Sequence, residues 1–252
     1  MITIKSQREI EIMREAGAIL AETHEMLKAH IKPGITTAKL DKLAEEFIIS
    51  KGGVPSFKNY NGFPASICSS INEVVVHGIP SKKAVLKNGD IISIDLGVNF
   101  QGYHADAAIT HPVGNISEKV RKLLEVTEAS LYEGLKEAKP GNHLSNISHR
   151  IEQFIKPYGY GIVEEFTGHG IGKNLHEEPY VPNFGAPNEG PILQEGMTIC
   201  VEPMVNLGTK NVKILRDNWT TVTIDRKYSA HFEHTIVITK DGYEILTKLR
   251  SE

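Results

Sequence analysis

The chain repeats itself, and the repeat restricts what it can fold into. Lys32-Pro33-Gly34 returns as Lys139-Pro140-Gly141, and Leu86-x-x-Gly89-x-x-Ile92-x-Ile94-Asp95 returns as Leu193-x-x-Gly196-x-x-Ile199-x-Val201-Glu202, both at an offset of 107 residues. His77-Gly78-Ile79 is echoed by His169-Gly170-Ile171, and His104-x-Asp106-x-x-Ile109 by His231-x-Glu233-x-x-Ile236. Two copies are too few for a solenoid, whose units stack in threes or more. The repeat instead predicts one fused domain over residues 1–252, with pseudo-symmetric halves of about 1–115 and 116–252. Each half brings one histidine and two carboxylates in the same order: His77, Asp95 and Asp106, then His169, Glu202 and Glu233. A pseudo-two-fold axis that gathers them predicts a two-metal site.

A chain of 252 residues buries a sizeable core. The net charge of −3, with no basic block or stripe, gives no reason to expect a nucleic-acid partner. Met1-Ile2-Thr3-Ile4-Lys5-Ser6-Gln7-Arg8-Glu9 lacks the apolar centre of a signal peptide, and no apolar run approaches the roughly 20 residues of a membrane span. The expected location is the cytoplasm. Cys68 and Cys200 lie in strand-like apolar runs and read as buried free thiols, as suits a reducing compartment.

Ser6-x-x-Glu9 is a capping box opening a helix to about residue 31, which Pro33-Gly34 stops. Thr36 or Thr37 opens a second helix that Gly52-Gly53 closes. Strand signals follow at 65–68, 74–76, 91–98 and 103–109, and a long helix at 117–138 joins the copies. The second copy shows a helix at 144–155 and strands at 162–166, 197–205, 220–224 and 232–238. Helices and strands mingle without regular βαβ alternation, so the class is α+β, with antiparallel strands in the centre and helices outside.

Asp95 and Asp106 sit on consecutive strands joined by Asn99-Phe100-Gln101-Gly102. With Phe100 and Gln101 as a two-residue loop, the two carboxylates would lie directly opposite, their Cβ atoms roughly 4.5–5.5 Å apart. Such a pair repels itself unless a proton or cation intervenes, and it suits two metal ions roughly 3.5–4 Å apart. Glu202 and Glu233 take the matching positions, on a longer connection containing Trp219. His169 adds an imidazole, and its flanking glycines permit close backbone approach. A lone aspartate in a hairpin is usually solvated, and a lone histidine is usually a satisfied core residue. Asp95 and Glu202 resist that bland reading, because Ile91-Ile92-Ser93-Ile94-Asp95-Leu96 and Thr198-Ile199-Cys200-Val201-Glu202 are buried-looking strands where an unpaired carboxylate is costly. Four carboxylates and one imidazole are a mainly hard set, suited to manganese, iron or cobalt more than to a thiolate zinc site.

Together with Ser70-Ile71-Asn72-Glu73-Val74-Val75-Val76-His77-Gly78-Ile79-Pro80, Gly168-His169-Gly170-Ile171-Gly172 and His231-Phe232-Glu233-His234-Thr235, these residues resemble the methionine aminopeptidases, in the short bacterial type I form with the pita-bread fold. The resemblance runs from the first helix to about Ile245, and ligand spacings of 11, 63, 33 and 31 residues fit it. It implies a catalytic metallopeptidase domain in which Asp95, Asp106, His169, Glu202 and Glu233 hold two divalent ions (cobalt, manganese, iron or zinc), with Asp106 and Glu233 bridging. Glu202 would be the general base for a water activated between the ions. His77 would stand near the scissile amide and leaving nitrogen, and His176 would hydrogen-bond the substrate carbonyl. Phe57, Tyr60, Phe63, Cys68, His77, Leu175 and Trp219 would line the methionine pocket. Phe57 and Leu175 depart from the commonest choices there, and His231 stands where glutamine is frequent. A monovalent cation would sit on backbone near Asn72 and Val74, with Ser229.

The implied substrates are nascent polypeptides and peptides with a free N-terminal methionine and a small second residue, after removal of any formyl group. The implied partners are those chains and a transient contact with the ribosome, with no membrane and no specific nucleic acid; the implied state is monomeric. Two alternatives stand beside this reading. Proline-specific aminopeptidases and dipeptidases share the ligands but normally carry an additional N-terminal domain, for which 252 residues leave no room. Non-catalytic binding modules of the fold have lost their ligands, whereas here all five positions are filled. No zinc-finger extension or type II insertion is expected.

Overall fold

The computed structural model describes residues 1–249. In chain order the elements are α1 (Gln7–Lys28), α2 (Thr37–Ser50), β1 (Val54–Pro55), β2 (Cys68–Ile71), β3 (Val74–Val76), β4 (Ile91–Phe100) and β5 (Tyr103–Pro112). After these come α3 (Glu118–Leu135), α4 (Ser145–Ile155), β6 (Gly161–Ile162), β7 (Gly168–Gly170), β8 (Glu177–Val181), β9 (Thr198–Val201) and β10 (Met204–Asn206). The chain continues through β11 (Val212–Ile214), β12 (Thr221–Thr223), β13 (Ser229–His231), β14 (His234–Ile238) and β15 (Tyr243–Ile245). The α+β class read from the sequence is the observed one.

The helix starts follow the sequence signals. Both the N–H and the hydroxyl of Ser6 donate to the Glu9 carboxylate, at 2.7 and 2.8 Å. At α2, Thr36 is the cap, its Oγ1 accepting from the Lys39 N–H at 3.2 Å. β4 and β5 form a ten-residue antiparallel pair, extended by β2 and β1 on β4. The second half builds β15-β14-β9-β7-β8, and two three-stranded sheets, β13-β10-β6 and β11-β12-β3, complete the layer. Leu20 and Leu27 of α1 and Leu40 and Ile48 of α2 share a core with Ile92, Ile94, Leu96 and Val98. Leu123 and Leu131 of α3 and Ile147 and Ile151 of α4 do the same with Ile199, Val201 and Ile236. A helix pair on an antiparallel strand pair thus occurs twice, as the repeat predicts.

Several expected strands are displaced or divided. The strand signal at 65–68 is realised three residues later as β2, and that at 162–166 shrinks to β6. The strand expected over 197–205 divides at Glu202-Pro203 into β9 and β10, because Pro203 has no N–H to donate to a ladder. The one expected over 232–238 begins only at His234, as β14, and a break at Phe232-Glu233 separates it from β13, which lies ahead of the expected range. Both breaks fall at an acidic residue whose backbone leaves the sheet.

The hairpin register also differs from expectation. Phe100 pairs with Tyr103, so the loop is Gln101-Gly102. Both have positive φ, 49° and 85°, the requirement of a type I′ turn, which glycine at the second position satisfies at little cost. The Asn99 side chain fixes it by accepting the Gly102 N–H at 3.1 Å. Asp106 therefore faces Gly97 and Asp95 faces Ala108. The two carboxylates share one face but are diagonal neighbours rather than directly opposite.

The other face of β5 carries a pH-sensitive packing. His24 and His111 are 2% and 8% exposed between α1 and β5, and burial pushes them down to about 4 and about 3. In the unfolded chain each titrates near 6.5, so between that pH and the folded value the unfolded state binds the extra proton. Stability is therefore complete above about pH 6.5 and is lost as pH falls, by about 3 kcal/mol for His111 on reaching pH 4. His111→Leu is expected to lose that much less than the parent between pH 7 and pH 4, measured as urea stability of metal-free protein. Identical pH dependence in both proteins would contradict it.

Candidate active site

The five sequence-predicted ligands meet at one place. Asp95 comes from the middle of β4, Asp106 from β5, His169 from β7, Glu202 from the break after β9 and Glu233 from the break between β13 and β14. Asp106 is 3% exposed, His169 5%, Glu202 9% and Glu233 2%. His169 is threaded between two strands: a Cβ on Gly168 would come within 2.2 Å of the Cys200 carbonyl oxygen, and one on Gly170 within 2.1 Å of that of Glu178. Only glycines fit there. The His169 Nδ1–H donates to the Gly170 carbonyl at 2.8 Å, so the Nε2 lone pair faces the acids, 3.7 Å from Glu202 and 3.9 Å from Asp106.

The halves are joined at the acids by two threonine hydroxyls. The Asp106 N–H donates to Thr235 Oγ1 at 2.9 Å, and that hydroxyl donates to the Asp106 carbonyl at 2.7 Å. The His231 N–H donates to Thr110 Oγ1 at 2.9 Å, and that hydroxyl donates to the His231 carbonyl at 2.8 Å. A hydroxyl has one proton to give. The Ser93 hydroxyl, 2.8 Å from Thr110, and the Cys200 thiol, 3.4 Å from Thr235, are therefore the donors in those contacts. Cys68 and Cys200 are buried free thiols, as expected, and burial pushes both well above the ordinary thiol range.

Electrostatically the cluster calls for cations. Burial pushes the Asp95 carboxyl up to about 6 and Glu202 and Glu233 well above the carboxylate range; for Asp106 burial is reinforced by the charges of Glu233, Asp95 and Glu202. Asp95 Oδ1, Asp106 Oδ1, Glu233 Oε1 and His231 Nε2 are sealed from solvent without a hydrogen-bond partner. Buried polar atoms in that state are rare unless an ion or water completes them. Donor atoms of Asp95, Asp106 and Glu233 lie within 4.8 Å of one another, as do those of Glu202, His231 and Glu233. Glu233 belongs to both groups, and the set fits a pair of divalent ions.

Beside the acids is a cavity of about 460 Å³. Phe57, Tyr60, Phe63, Cys68, His77, Leu175, His176 and Trp219 all line it. Phe63 meets Trp219 edge-on at 5.1 Å between ring centroids, and His77 lies edge-on to Phe166 at 5.3 Å. His77 holds a left-handed φ of 60°, a strained conformation for a residue with a side chain. The His176 Nδ1 is 2.8 Å from the Tyr60 hydroxyl, and its ring lies 4.2 Å from that of His169.

A profile of metallopeptidase family M24 matches residues 11–240. The chain belongs to that family. "Methionine aminopeptidase 1" of Bacillus subtilis is 59% identical over 249 residues, covering 99% of this chain and 100% of the relative. The solved methionine aminopeptidase of Thermotoga maritima superposes with a TM-score of 0.97 at 43% identity, covering 98% of this chain and all of the other. The prolidase of Pyrococcus furiosus gives a TM-score of 0.81 at 26% identity, over 98% of this chain but 66% of its own length. The M24 architecture is the α+β pita-bread fold, and the central strands described above are its filling.

Some cavity residues of this M24 chain escaped the sequence reading as site residues: His231, Val76, Phe166 and Tyr180. His231 was legible in principle, since residues two apart on a strand share a face and His231-x-Glu233 puts an imidazole beside a carboxylate. Phe166 lies in irregular backbone, where no periodicity shows which way a side chain points.

Proposed function

We propose that this M24 chain is a dinuclear metallo-aminopeptidase that removes the initiator methionine from new polypeptides. The observation that carries the reading is the buried set of four carboxylates and His169 on the floor of a cavity lined by Phe57, Tyr60, Phe63 and Trp219. Asp95, Asp106, His169, Glu202 and Glu233 would hold two divalent ions of cobalt, manganese, iron or zinc, with Asp106 and Glu233 shared. When bound, such ions polarise a carbonyl and bring a water's pKa towards neutrality.

The remaining chemistry belongs to side chains. Glu202, whose burial favours the protonated form, takes the proton of the attacking water and passes it to the leaving amide nitrogen. With the Tyr60 hydroxyl donating to its Nδ1, His176 is held neutral with Nε2–H free to donate to the substrate oxygen as negative charge develops there. Burial holds His77 down to about 4, so it is neutral at physiological pH and available beside the leaving nitrogen. Preference for a small second residue and prior removal of any formyl group belong to the same reading. The Thermotoga enzyme, matched over its full length, favours this reading over the proline-specific one, whose relative is matched over only 66% of its length. Among the described residues no helix is long and apolar enough to cross a membrane. A single domain over 1–252, action in the cytoplasm as a monomer, transient contact with the ribosome and a monovalent cation near Asn72, Val74 and Ser229 belong to the same proposal.

The test is turnover of Met-Ala-Ser against Met-Lys-Ser and Ala-Pro-Ser peptides, with metals restored one at a time. Only the first is expected to be cleaved well. Pocket chemistry adds a quantitative expectation. Each sulfur–aromatic contact is worth about 0.3–1.5 kcal/mol, so methionine should exceed norleucine by about tenfold in kcat/KM, and branched leucine should be poorer still. Leu175, 2% exposed, leaves more room than an aromatic ring would, so Leu175→Phe should sharpen rejection of bulkier side chains. Leucine cleaved as fast as methionine by the parent protein would sink the methionine-pocket assignment.

A further inference from the structure

We propose that Nε2 of His231 is a sixth protein donor to the metal centre, which makes the centre a two-imidazole site. The inference rests on the dinuclear reading above. His231 closes β13, is 1% exposed, and has both its N–H and its carbonyl clamped by Thr110 across the seam, so its backbone is fixed. Its Nε2 is sealed from solvent and has no hydrogen-bond partner. That nitrogen lies 3.5 Å from Glu202 Oε2 and 4.0 Å from Glu233 Oε2, beyond the roughly 3.2 Å limit of a good hydrogen bond. Donors each about 2.1 Å from one ion stand about 3–4 Å from one another, so these separations suit a shared cation.

His169 provides an internal standard. Its Nε2 stands 3.7 Å from Glu202 Oε1 and 3.9 Å from Asp106 Oδ2, the same range of separations. The two imidazoles thus flank Glu202, one beside each oxygen. His104 provides the contrast. It is the counterpart of His231 in the other copy, two residues ahead of the acid, but both of its ring nitrogens are engaged at 2.8 Å, by Asn99 and Ser56. Of this related pair, only His231 keeps a nitrogen free and aimed at the carboxylates.

A second imidazole has a chemical consequence. Nitrogen donors suit zinc and cobalt, whereas carboxylates suit manganese, so His231 should tilt preference towards the former. The experiment uses protein labelled with nitrogen-15 in its histidines and titrated with Zn²⁺, followed by NMR of the ring nitrogens. Wild type is expected to show two histidines whose Nε2 signals move to the metal-bound range, and His231→Gln only one. By calorimetric titration, His231→Gln is expected to lose at least about tenfold in affinity for Zn²⁺ and Co²⁺, and less for Mn²⁺. One metal-bound histidine in wild type, or equal losses for all three ions, would overturn the proposal. The wild-type count does not depend on the variant folding. A wild type that binds no Zn²⁺ would instead refute the dinuclear reading itself, and this proposal with it.

Discussion

Asp106→Ala is expected to have no detectable peptidase activity at saturating manganese and to take up one ion or fewer, measured by equilibrium dialysis. Asp106 is 3% exposed, stands beside His169, and is pushed towards its neutral form by Glu233, Asp95 and Glu202 as well as by burial. Only protons or cations make four acids tolerable there, and Asp106 is one of the two proposed to touch both ions. The same repulsion gives the experiment a second arm. In chelator-treated protein, removing one of these mutually repelling acids should leave thermal stability unchanged or raised, because the hydrogen bonds to Thr235 are made by the backbone of residue 106 and survive the substitution. Turnover near that of the parent would remove Asp106 from the shared position.

His176→Ala is expected to lower kcat by about 10²–10³, the usual loss for one oxyanion donor, with metal affinity nearly unchanged. The distinction matters because its ring lies 4.2 Å from that of ligand candidate His169. Its Nδ1 faces Tyr60, so it is engaged away from the ions. Tyr60→Phe should lose activity in the same direction but by less, since the imidazole remains and only its preferred tautomer is released. Parallel losses of metal binding and turnover in His176→Ala would make it a ligand instead.

The convergence of the five candidate ligands was legible because the chain states the pattern twice. Asp95 and Glu202 stand at the same place in two copies of one strand pattern, which left little freedom for coincidence. Helix starts at Ser6 and Thr36 were legible because a cap is a local interaction between residues three apart. The hairpin loop falls one residue later than expected, which shifts the pairing by two residues, because the turn type depends on which residues take positive φ, and Gln101 does so here beside Gly102. The strand over 197–205 reads as continuous because its apolar pattern continues across the break at Glu202-Pro203, and β13 is missed because only three residues form it. His231 was passed over because what distinguishes it from His104 is the set of neighbours that folding supplies: Asn99 and Ser56 for one, bare carboxylates for the other.

The threonine contacts at the seam also bear on the order in which the molecule assembles. They connect residues 129 and 121 apart in sequence, whereas each helix pair and its strand hairpin lie within one half. Closing a loop becomes entropically harder with its length, so the seam contacts form after the two half-cores have condensed. Until then Asp95 and Asp106 travel with one half and Glu202 and Glu233 with the other, and no complete ion site exists. In the reverse direction, parting the seam scatters the ligands while both half-cores remain packed. The rate at which a chelator strips the protein would then report seam opening and not global unfolding, and Thr110 and Thr235 would set how long an ion stays.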